Sequence, residues 1–270
     1  MKKKIVTLLF CIILLGGIFT GCKSKNTETS DSKTLKIGAV ATPHAEILNH
    51  IKPTLKAEGI NLDVIIFDDS AQLNPALKDK QIDANYFQHK PYLDSVASEK
   101  GFDFSSVGNI HVEPIGFYSK KIKSINDLKD GATIAIPNDA SNEYRALLLL
   151  QKQGLIKVKN TVSNKSATIN DIAENPKHLK IEELDAYQIP RSLPDIDGGI
   201  INTNIVLQSK IDPNSALFKE DKDSPYANII VVRKGDENRD AIKKLVKALQ
   251  SDDVKKFIKE KYKGSVVPAF

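Results

Sequence analysis

Residues 133–153 read TIAIPNDASNEYRALLLLQKQ, and this stretch decides the fold. Thr133–Pro137 is a short apolar run with β-branched residues, which predicts a buried strand. Asn142–Gln153 is rich in leucine and other good helix formers, which predicts a helix. Polar residues and a proline separate the two elements, as expected at the end of a strand. A strand followed directly by a helix is the repeating unit of an α/β fold.

The same alternation of strands and helices continues on both sides of this unit. Upstream, a strand predicted over Leu35–Val40 precedes a helix predicted over His44–Glu58. Downstream, a strand predicted over Ala227–Arg233 precedes one long amphipathic helix predicted over Arg239–Lys261. Strands that alternate with helices of this length predict an α/β fold with mostly parallel sheets.

The composition of the 270-residue chain is that of an ordinary globular protein. With 41% apolar and 27% charged residues, 14 Gly and 12 Pro, it is neither collagen-like, nor a coiled coil, nor disordered throughout. Its 2 cysteines are too few for a disulfide framework or a four-thiolate metal site. The 39 basic and 34 acidic residues nearly balance, which argues against a nucleic-acid partner.

The first 21 residues predict a bacterial lipoprotein signal peptide. A basic start at Lys2–Lys4 is followed by an apolar run over Ile5–Ile18 and then by Cys22. We expect Cys22 to carry a diacylglycerol lipid and the polar residues 22–33 to form a flexible tether. The expected location is the cell membrane, anchored on the extracytoplasmic face of a bacterium. An ordinary secretory signal with a chance cysteine is the alternative.

Catalytic signatures are missing from the sequence. It contains no P-loop, GxGxxG, GxSxG or HExxH motif. An extracytoplasmic lipoprotein without a nucleophile or metal motif is expected to bind a ligand rather than to catalyse a reaction. We therefore expect neither enzymatic activity nor a cofactor.

Several ordered blocks of sequence resemble one protein family. The blocks are DANYFQHKPYL at 83–93, IPND at 136–139, NEYRALLLL at 142–150, ENPK at 174–177, IPRSL at 189–193, IN at 201–202 and KDSPYAN at 222–228. From about residue 35 to 270 the chain resembles the methionine-binding lipoproteins of ABC importers, the NlpA/MetQ family. The resemblance implies a monomeric substrate-binding lipoprotein that captures methionine and delivers it to a membrane permease.

The resemblance also implies an architecture. Its members have a two-lobed, periplasmic-binding-protein-like (type II) fold, in which the chain crosses twice between two mixed, mostly parallel sheets. Placed on this sequence, lobe one comprises residues 34–112 plus 225–270, and lobe two comprises residues 113–224. The ligand cleft is expected between the lobes.

Three polar residues in these blocks suit a zwitterionic amino acid. Arg145 offers a planar pair of donors to a carboxylate, and the predicted helix places it in the first turn, where the helix dipole favours an anion. Asn202 and Asn228 lie at strand ends and offer side-chain carbonyls to an α-ammonium. The sequence pattern alone favours a surface position for Arg145 and turn positions for Asn202 and Asn228. The resemblance implies instead that all three residues contact the ligand.

Four further residues are predicted to form an aromatic cluster in one loop: Tyr86, Phe87, His89 and Tyr92. A methionine thioether packs well against aromatic rings, so these residues are candidate ligand contacts. Phe87 and Tyr92 are alternatively core residues that hold the loop. His89 either binds the ligand carboxylate or caps the helix that begins near Pro91.

Departures from the family pattern leave the ligand partly open. Ser70 stands where the family commonly has tyrosine, and Tyr144 adds bulk beside Arg145. L- or D-methionine, a methionine-containing dipeptide and another small amino acid therefore remain alternatives. Metal uptake is a weaker alternative, because the sequence shows no compact histidine cluster. His44 and Glu46 are two residues apart and would not share a helix face. We predict no metal site; a surface enzyme and an adhesin are further alternatives.

Overall fold

A computed structural model describes residues 33–160, 167–221 and 224–270. The predicted signal peptide (1–21), the lipidation site Cys22 and most of the predicted tether lie outside the described residues. The last residue of that tether, Lys33, already begins the first strand.

The strands alternate with helices, as the sequence predicts. The strands are β1 Lys33–Ala39, β2 Ile60–Ile66, β3 Ala84–His89, β4 Phe104–Val112, β5 Gly116–Tyr118, β6 Thr133–Pro137, β7 Lys157–Val158, β8 Ile172–Glu174, β9 Lys180–Leu184, β10 Gly198–Ile201, β11 Phe218–Lys219, β12 Ala227–Arg233 and β13 Val267–Pro268. The helices are α1 Glu46–His50, α2 Lys52–Ala57, α3 Leu73–Lys78, α4 Lys90–Lys100, α5 Ala140–Lys152, α6 Ile189–Ser192, α7 Thr203–Gln208, α8 Asp240–Leu249 and α9 Asp252–Tyr262. Within the described ranges, no helix is long and apolar enough to cross a membrane.

Two mixed sheets form the framework, which confirms the predicted fold class. The first sheet has the order β13-β4-β12-β3-β1-β2, and the second has the order β11-β5-β10-β6-β9. Between the strands of the described ranges, parallel pairing occurs only in the trios β2-β1-β3 and β9-β6-β10, so it is less dominant than the sequence predicts. In the first sheet the reason is β12, which returns from the second sheet and inserts antiparallel between β3 and β4.

Each sheet is packed on both faces. One face of the first sheet meets α1, α2, α8 and α9 through a core that includes Ile37, Leu48 and Leu245, and the other face carries a core around Leu73 and Ile229. The second sheet has one core around helix α5 and another around α6 and α7. Apolar residues buried on both faces are what α/β sheets require.

Two predicted helices are each divided in the structure. The helix predicted over His44–Glu58 breaks between α1 and α2, where Pro53, the second residue of α2, has no N–H to donate. The helix predicted over Arg239–Lys261 breaks between α8 and α9. There the Ser251 hydroxyl accepts a hydrogen bond from the Val254 N–H, which caps a new helix.

The chain passes between the sheets twice. The first crossing segment, residues 113–115, joins β4 to β5. The second crossing segment, whose described residues are 220–221 and 224–226, joins β11 to β12. The two segments are tied together by a hydrogen bond from the Glu220 N–H to the Ile115 carbonyl, at 2.8 Å. Residues in and beside them therefore lie close to both sheets.

Candidate ligand-binding site

A cavity of about 160 Å³ lies where the ends of strands from both sheets approach each other. Its wall combines residues at or beside β3 and β12 in the first sheet with residues after β6 and β10 in the second. Open α/β sheets place ligands at the carboxyl ends of parallel strands. The volume suits a molecule of amino-acid size rather than a drug-sized ligand, whose pockets span roughly 300–1,000 Å³.

Six of the seven predicted ligand contacts line this cavity: Phe87, His89, Tyr92, Arg145, Asn202 and Asn228. The seventh, Tyr86, does not. The sequence predicts a loop here, but Tyr86, Phe87 and His89 belong to strand β3, and neighbouring side chains of a strand point to opposite faces. Tyr86 is fully buried in the core of the first sheet, so the structure gives it a place behind the cavity wall.

His89 is held by hydrogen bonds at both ring nitrogens. As the N-cap of α4, its Nδ1 accepts from the Tyr92 N–H at 3.1 Å, so the capping alternative is observed. Its Nε2 donates to Asn142 Oδ1 at 3.2 Å. Burial, together with the nearby Arg145 charge, lowers the pKa of His89 to about 3. The imidazole is therefore neutral and fixed in orientation.

Asn142, which sequence reasoning did not single out, joins the two sheets at the cavity. Its Oδ1 also accepts from Asn202 Nδ2 at 2.9 Å, and its own Nδ2 donates to the N-cap residue Asp139. Because the Asn202 amide uses its nitrogen for this bond, its Oδ1 remains an acceptor. In the described part of the chain, this buried oxygen has no hydrogen-bond partner.

Arg145 is buried, and its guanidinium touches both crossing segments. Nε lies 3.1 Å from each carboxylate oxygen of Glu220, and Nη2 donates to Glu220 and, at 2.8 Å, to the Glu113 carbonyl. The guanidinium carbon lies 4.3 Å from the centre of the Tyr226 ring. Helix α5 begins at Ala140, two residues earlier than predicted, so Arg145 lies in its second turn. The helix dipole favours an anion there less than it does in the first turn.

A buried network of titratable groups lies behind Arg145. Tyr86 donates its hydroxyl proton to His111 Nδ1, so His111 Nε2 carries a proton and donates to Glu113 Oε1 at 2.7 Å. His44 Nε2 lies 3.0 Å from Asn228 Oδ1 and 3.3 Å from Glu113 Oε1. Burial lowers the pKa of His44 to about 4 and that of His111 to about 3, so both imidazoles are neutral donors.

Glu113 is the acidic member of this network and also lines the cavity. Burial raises the pKa of its carboxyl group, while His44, the Asn204 N–H and Arg145 act in the opposite direction. Because His111 Nε2–H donates to its Oε1, Glu113 accepts a hydrogen bond, while His44 Nε2, 3.3 Å from the same oxygen, donates to Asn228. It therefore supplies an acceptor, and potential negative charge, at the base of the cavity.

The network also fixes the polarity of Asn228. Its Oδ1 is engaged by the His44 N–H, so its Nδ2 remains for a ligand. The structure thus corrects the expectation that Asn228 presents a carbonyl. It lines the cavity as a donor, whereas Asn202 lines it as an acceptor.

The structure brings together His44, His111 and Glu113, a compact group that the sequence analysis did not foresee. The three residues are buried, and their potential ligand atoms lie within 4.8 Å of one another. However, two ligands of a tetrahedral zinc ion lie about 3.3 Å apart, given zinc–nitrogen and zinc–oxygen distances of roughly 2.0–2.2 Å. The 2.7 Å between His111 Nε2 and Glu113 Oε1 is instead the length of a hydrogen bond. The arrangement fits a hydrogen-bond network better than a metal centre.

Aromatic side chains form part of the wall around Phe87 and Tyr92, whose ring centres are 6.0 Å apart. Tyr187, which sequence reasoning missed, lines the cavity together with Ser70. It provides an aromatic ring on the side where Ser70 removes one. Tyr144 packs against the core around α5 and is not among the lining residues, so the predicted bulk beside Arg145 does not enter the cavity.

Comparison with known proteins gives consistent matches over nearly the whole chain. The sequence model described as NlpA lipoprotein matches residues 35–270. The D-methionine-binding lipoprotein MetQ of Escherichia coli K12 is 41% identical over 259 residues, which cover 94% of each chain.

Solved structures agree with these sequence matches. A nutrient binding protein from Burkholderia cenocepacia bound to methionine is 50% identical, with a TM-score of 0.84 over 87% of this chain and 100% of that one. An ABC transporter periplasmic substrate-binding protein from Coxiella burnetii is 43% identical, with a TM-score of 0.83 over 87% of this chain and 100% of that one. These similarities confirm the predicted two-lobed fold class.

Proposed function

This chain belongs to the NlpA lipoprotein family, and from that premise we propose that it is the substrate-binding lipoprotein of an ABC importer, capturing methionine for delivery to a membrane permease. The observation that carries this proposal is the polarity of the cavity. Donors and acceptors are arranged for a zwitterion, and an aromatic wall lies beside them.

The ligand carboxylate binds to the donor groups. Arg145 and Asn228 Nδ2 both face the cavity, and neither a ligand ammonium nor another cation can accept from them. A charge-assisted hydrogen bond from a guanidinium to a carboxylate is among the stronger polar contacts in proteins. Asn228 adds a neutral donor from the opposite sheet.

The ligand ammonium binds to the acceptor groups. Asn202 Oδ1 is buried and has no partner within the described residues, a costly state that a donor from the ligand relieves. Glu113 provides a second acceptor and potential negative charge. The α-amino and α-carboxylate groups of one amino acid thereby bridge the two sheets.

The thioether side chain lies against Phe87, Tyr92 and Tyr187. Sulfur packs favourably against aromatic rings, and an unbranched chain adapts to an irregular gap. The small cavity favours a free amino acid over a dipeptide.

Capture is coupled to closure of two lobes, residues 34–112 plus 225–270 and residues 113–224. Ligand contacts from both lobes favour the closed arrangement, because only that arrangement allows all of them to form together. The closed protein then presents its surface to the permease.

Cys22 carries a diacylglycerol anchor, and residues 22–32 tether the fold to the extracytoplasmic face of the cell membrane. In this proposal the protein is a monomer, has no catalytic role and needs no cofactor. The family's extracytoplasmic lipoproteins and the ABC-transporter binding proteins it resembles support this assignment.

The test is to identify the ligand that co-purifies with the protein. Mass spectrometry of material released from the denatured protein, with chiral separation, is expected to show one equivalent of methionine and to give its stereoisomer. Asn202→Ala is expected to retain much less methionine, whereas Asn61→Ala, at an exposed asparagine on β2, retains it as the wild type does. Release of a dipeptide or of another amino acid, or no binding of methionine in calorimetry, contradicts the proposal.

A further inference from the structure

Arg145 lines the cavity, and its guanidinium also pairs with Glu220. Glu220 is not among the described residues that line the cavity. Its two carboxylate oxygens each lie 3.1 Å from Arg145 Nε, and one also accepts from Nη2. The side chains are only 3% (Arg145) and 16% (Glu220) exposed. Water screens such a pair much less than a surface pair, so its charges act on nearby groups.

This pairing fixes which edge of the guanidinium faces a ligand. The edge formed by Nε and Nη2 pairs with the Glu220 carboxylate, and Nη2 also donates a hydrogen bond to the Glu113 carbonyl. The Tyr226 ring covers one face of the guanidinium. Among the hydrogen bonds formed within the described ranges, none uses Nη1. A ligand carboxylate therefore meets a guanidinium that is already oriented and already paired with one negative charge.

Beside Arg145, the wall of the cavity carries several acidic side chains. Among the described residues that line it, Arg145 is the only permanent cation, and Asp69, Glu113, Asp139 and Asp185 are acidic. With Glu220 cancelling the charge of Arg145, the site offers no excess positive charge to an anion. A zwitterion satisfies it, because the ligand brings its own ammonium.

We propose that Glu220 is a specificity-determining residue that holds Arg145 in position and cancels its charge, so that the cavity accepts zwitterionic amino acids and rejects carboxylates without an ammonium. This role rests on the proposed function, because it requires the ligand carboxylate to meet Arg145. Glu220 itself does not touch the ligand; it acts through Arg145.

Glu220→Gln separates the two parts of this role. The amide oxygen of glutamine still accepts from Arg145, so the guanidinium keeps its place, but the negative charge is gone. For a zwitterion, the lost repulsion of its carboxylate is offset by the lost attraction of its ammonium. For an anion there is no offset, so its affinity rises.

The experiment measures dissociation constants by calorimetry for methionine and for its analogue that lacks the α-amino group. In Glu220→Gln, the preference for methionine over the analogue is expected to fall by roughly tenfold or more. Asp221→Asn is the matched control. It removes the adjacent carboxylate, which is 73% exposed and pairs with Lys152, and the preference is expected to stay within about twofold of the wild type.

Glu220→Asp keeps the negative charge but shortens the side chain by one methylene group. It is expected to weaken both ligands by about threefold or more without changing the preference, and it also serves if Glu220→Gln does not fold. An unchanged preference in folded Glu220→Gln, or unchanged affinities in Glu220→Asp, overturns the role of Glu220 alone. Failure of the wild type to bind methionine refutes the proposed function, and the role of Glu220 with it.

Discussion

Arg145→Lys tests whether the shape of the guanidinium, and not only its charge, holds the ligand. The wild-type side chain pairs with Glu220 through Nε and Nη2 and donates to the Glu113 carbonyl, which leaves Nη1 for the ligand. A lysine ammonium also has three N–H donors, but all three radiate from one nitrogen atom and cannot reproduce the planar spacing of Nε, Nη1 and Nη2. The variant keeps the charge balance of the site but loses its geometry.

The expected loss of affinity follows from that geometry. One charge-assisted hydrogen bond contributes about 1.5–3 kcal/mol, so the dissociation constant for methionine rises roughly 10- to 150-fold. Arg145→Ala is expected to lose at least as much affinity and also stability, because it leaves the mostly buried Glu220 carboxylate without its partner.

Calorimetry on protein freed of ligand by unfolding and refolding gives the dissociation constants. Arg191→Lys is the matched control, because Arg191 is exposed on α6 and does not line the cavity. Its affinity is expected to match that of the wild type. If folded Arg145→Lys binds methionine within about twofold of the wild type, the ligand carboxylate does not depend on a hydrogen bond from an oriented Arg145 Nη1.

Two further predictions concern stability. Burial, with the Glu183 carboxylate nearby, raises the pKa of Glu143 from 4.5 to about 7. Between these two pH values the folded state holds a proton that the unfolded chain releases. The free energy of unfolding therefore falls as the pH rises from about 4.5 to about 7. The melting temperature of the wild type relative to Glu143→Gln should therefore fall between about pH 4.5 and 7, and parallel profiles would contradict this. Gly198→Ala places a methyl group 2.2 Å from the Phe117 ring and should cost about 1–3 kcal/mol in urea unfolding, partly relieved by adding Phe117→Leu; an unchanged midpoint would contradict the clash.

Regular elements with a strong hydrophobic pattern could be predicted from the sequence. Strands β6 and β12 have the predicted bounds, Thr133–Pro137 and Ala227–Arg233. The break between α8 and α9 could not be predicted from that pattern, because the apolar stripe continues across it. A single capping hydroxyl, on Ser251, decides where the second helix begins.

Six of the seven residues predicted as ligand contacts line the cavity, but the geometry of the candidate site could not be predicted. Tyr86 and Phe87 are neighbours in the same block, yet Tyr86 is buried in the core of the first sheet, whereas Phe87 lines the cavity and packs against the core on the other face. Glu220 lies 75 residues from Arg145 along the chain, and no spacing rule connects them. Contacts of this kind arise only when two crossing segments meet in three dimensions.

The polarity of the site shows most clearly why the fold is needed. An asparagine side chain offers either a donor or an acceptor, and the sequence does not say which end faces the ligand. At Asn228 the choice is made by His44, which is 184 residues away and takes the amide oxygen. At Asn202 it is made by Asn142, which takes the amide nitrogen. A change at His44, behind the cavity wall, therefore alters which atom Asn228 presents, and with it the ligand group that the cavity prefers.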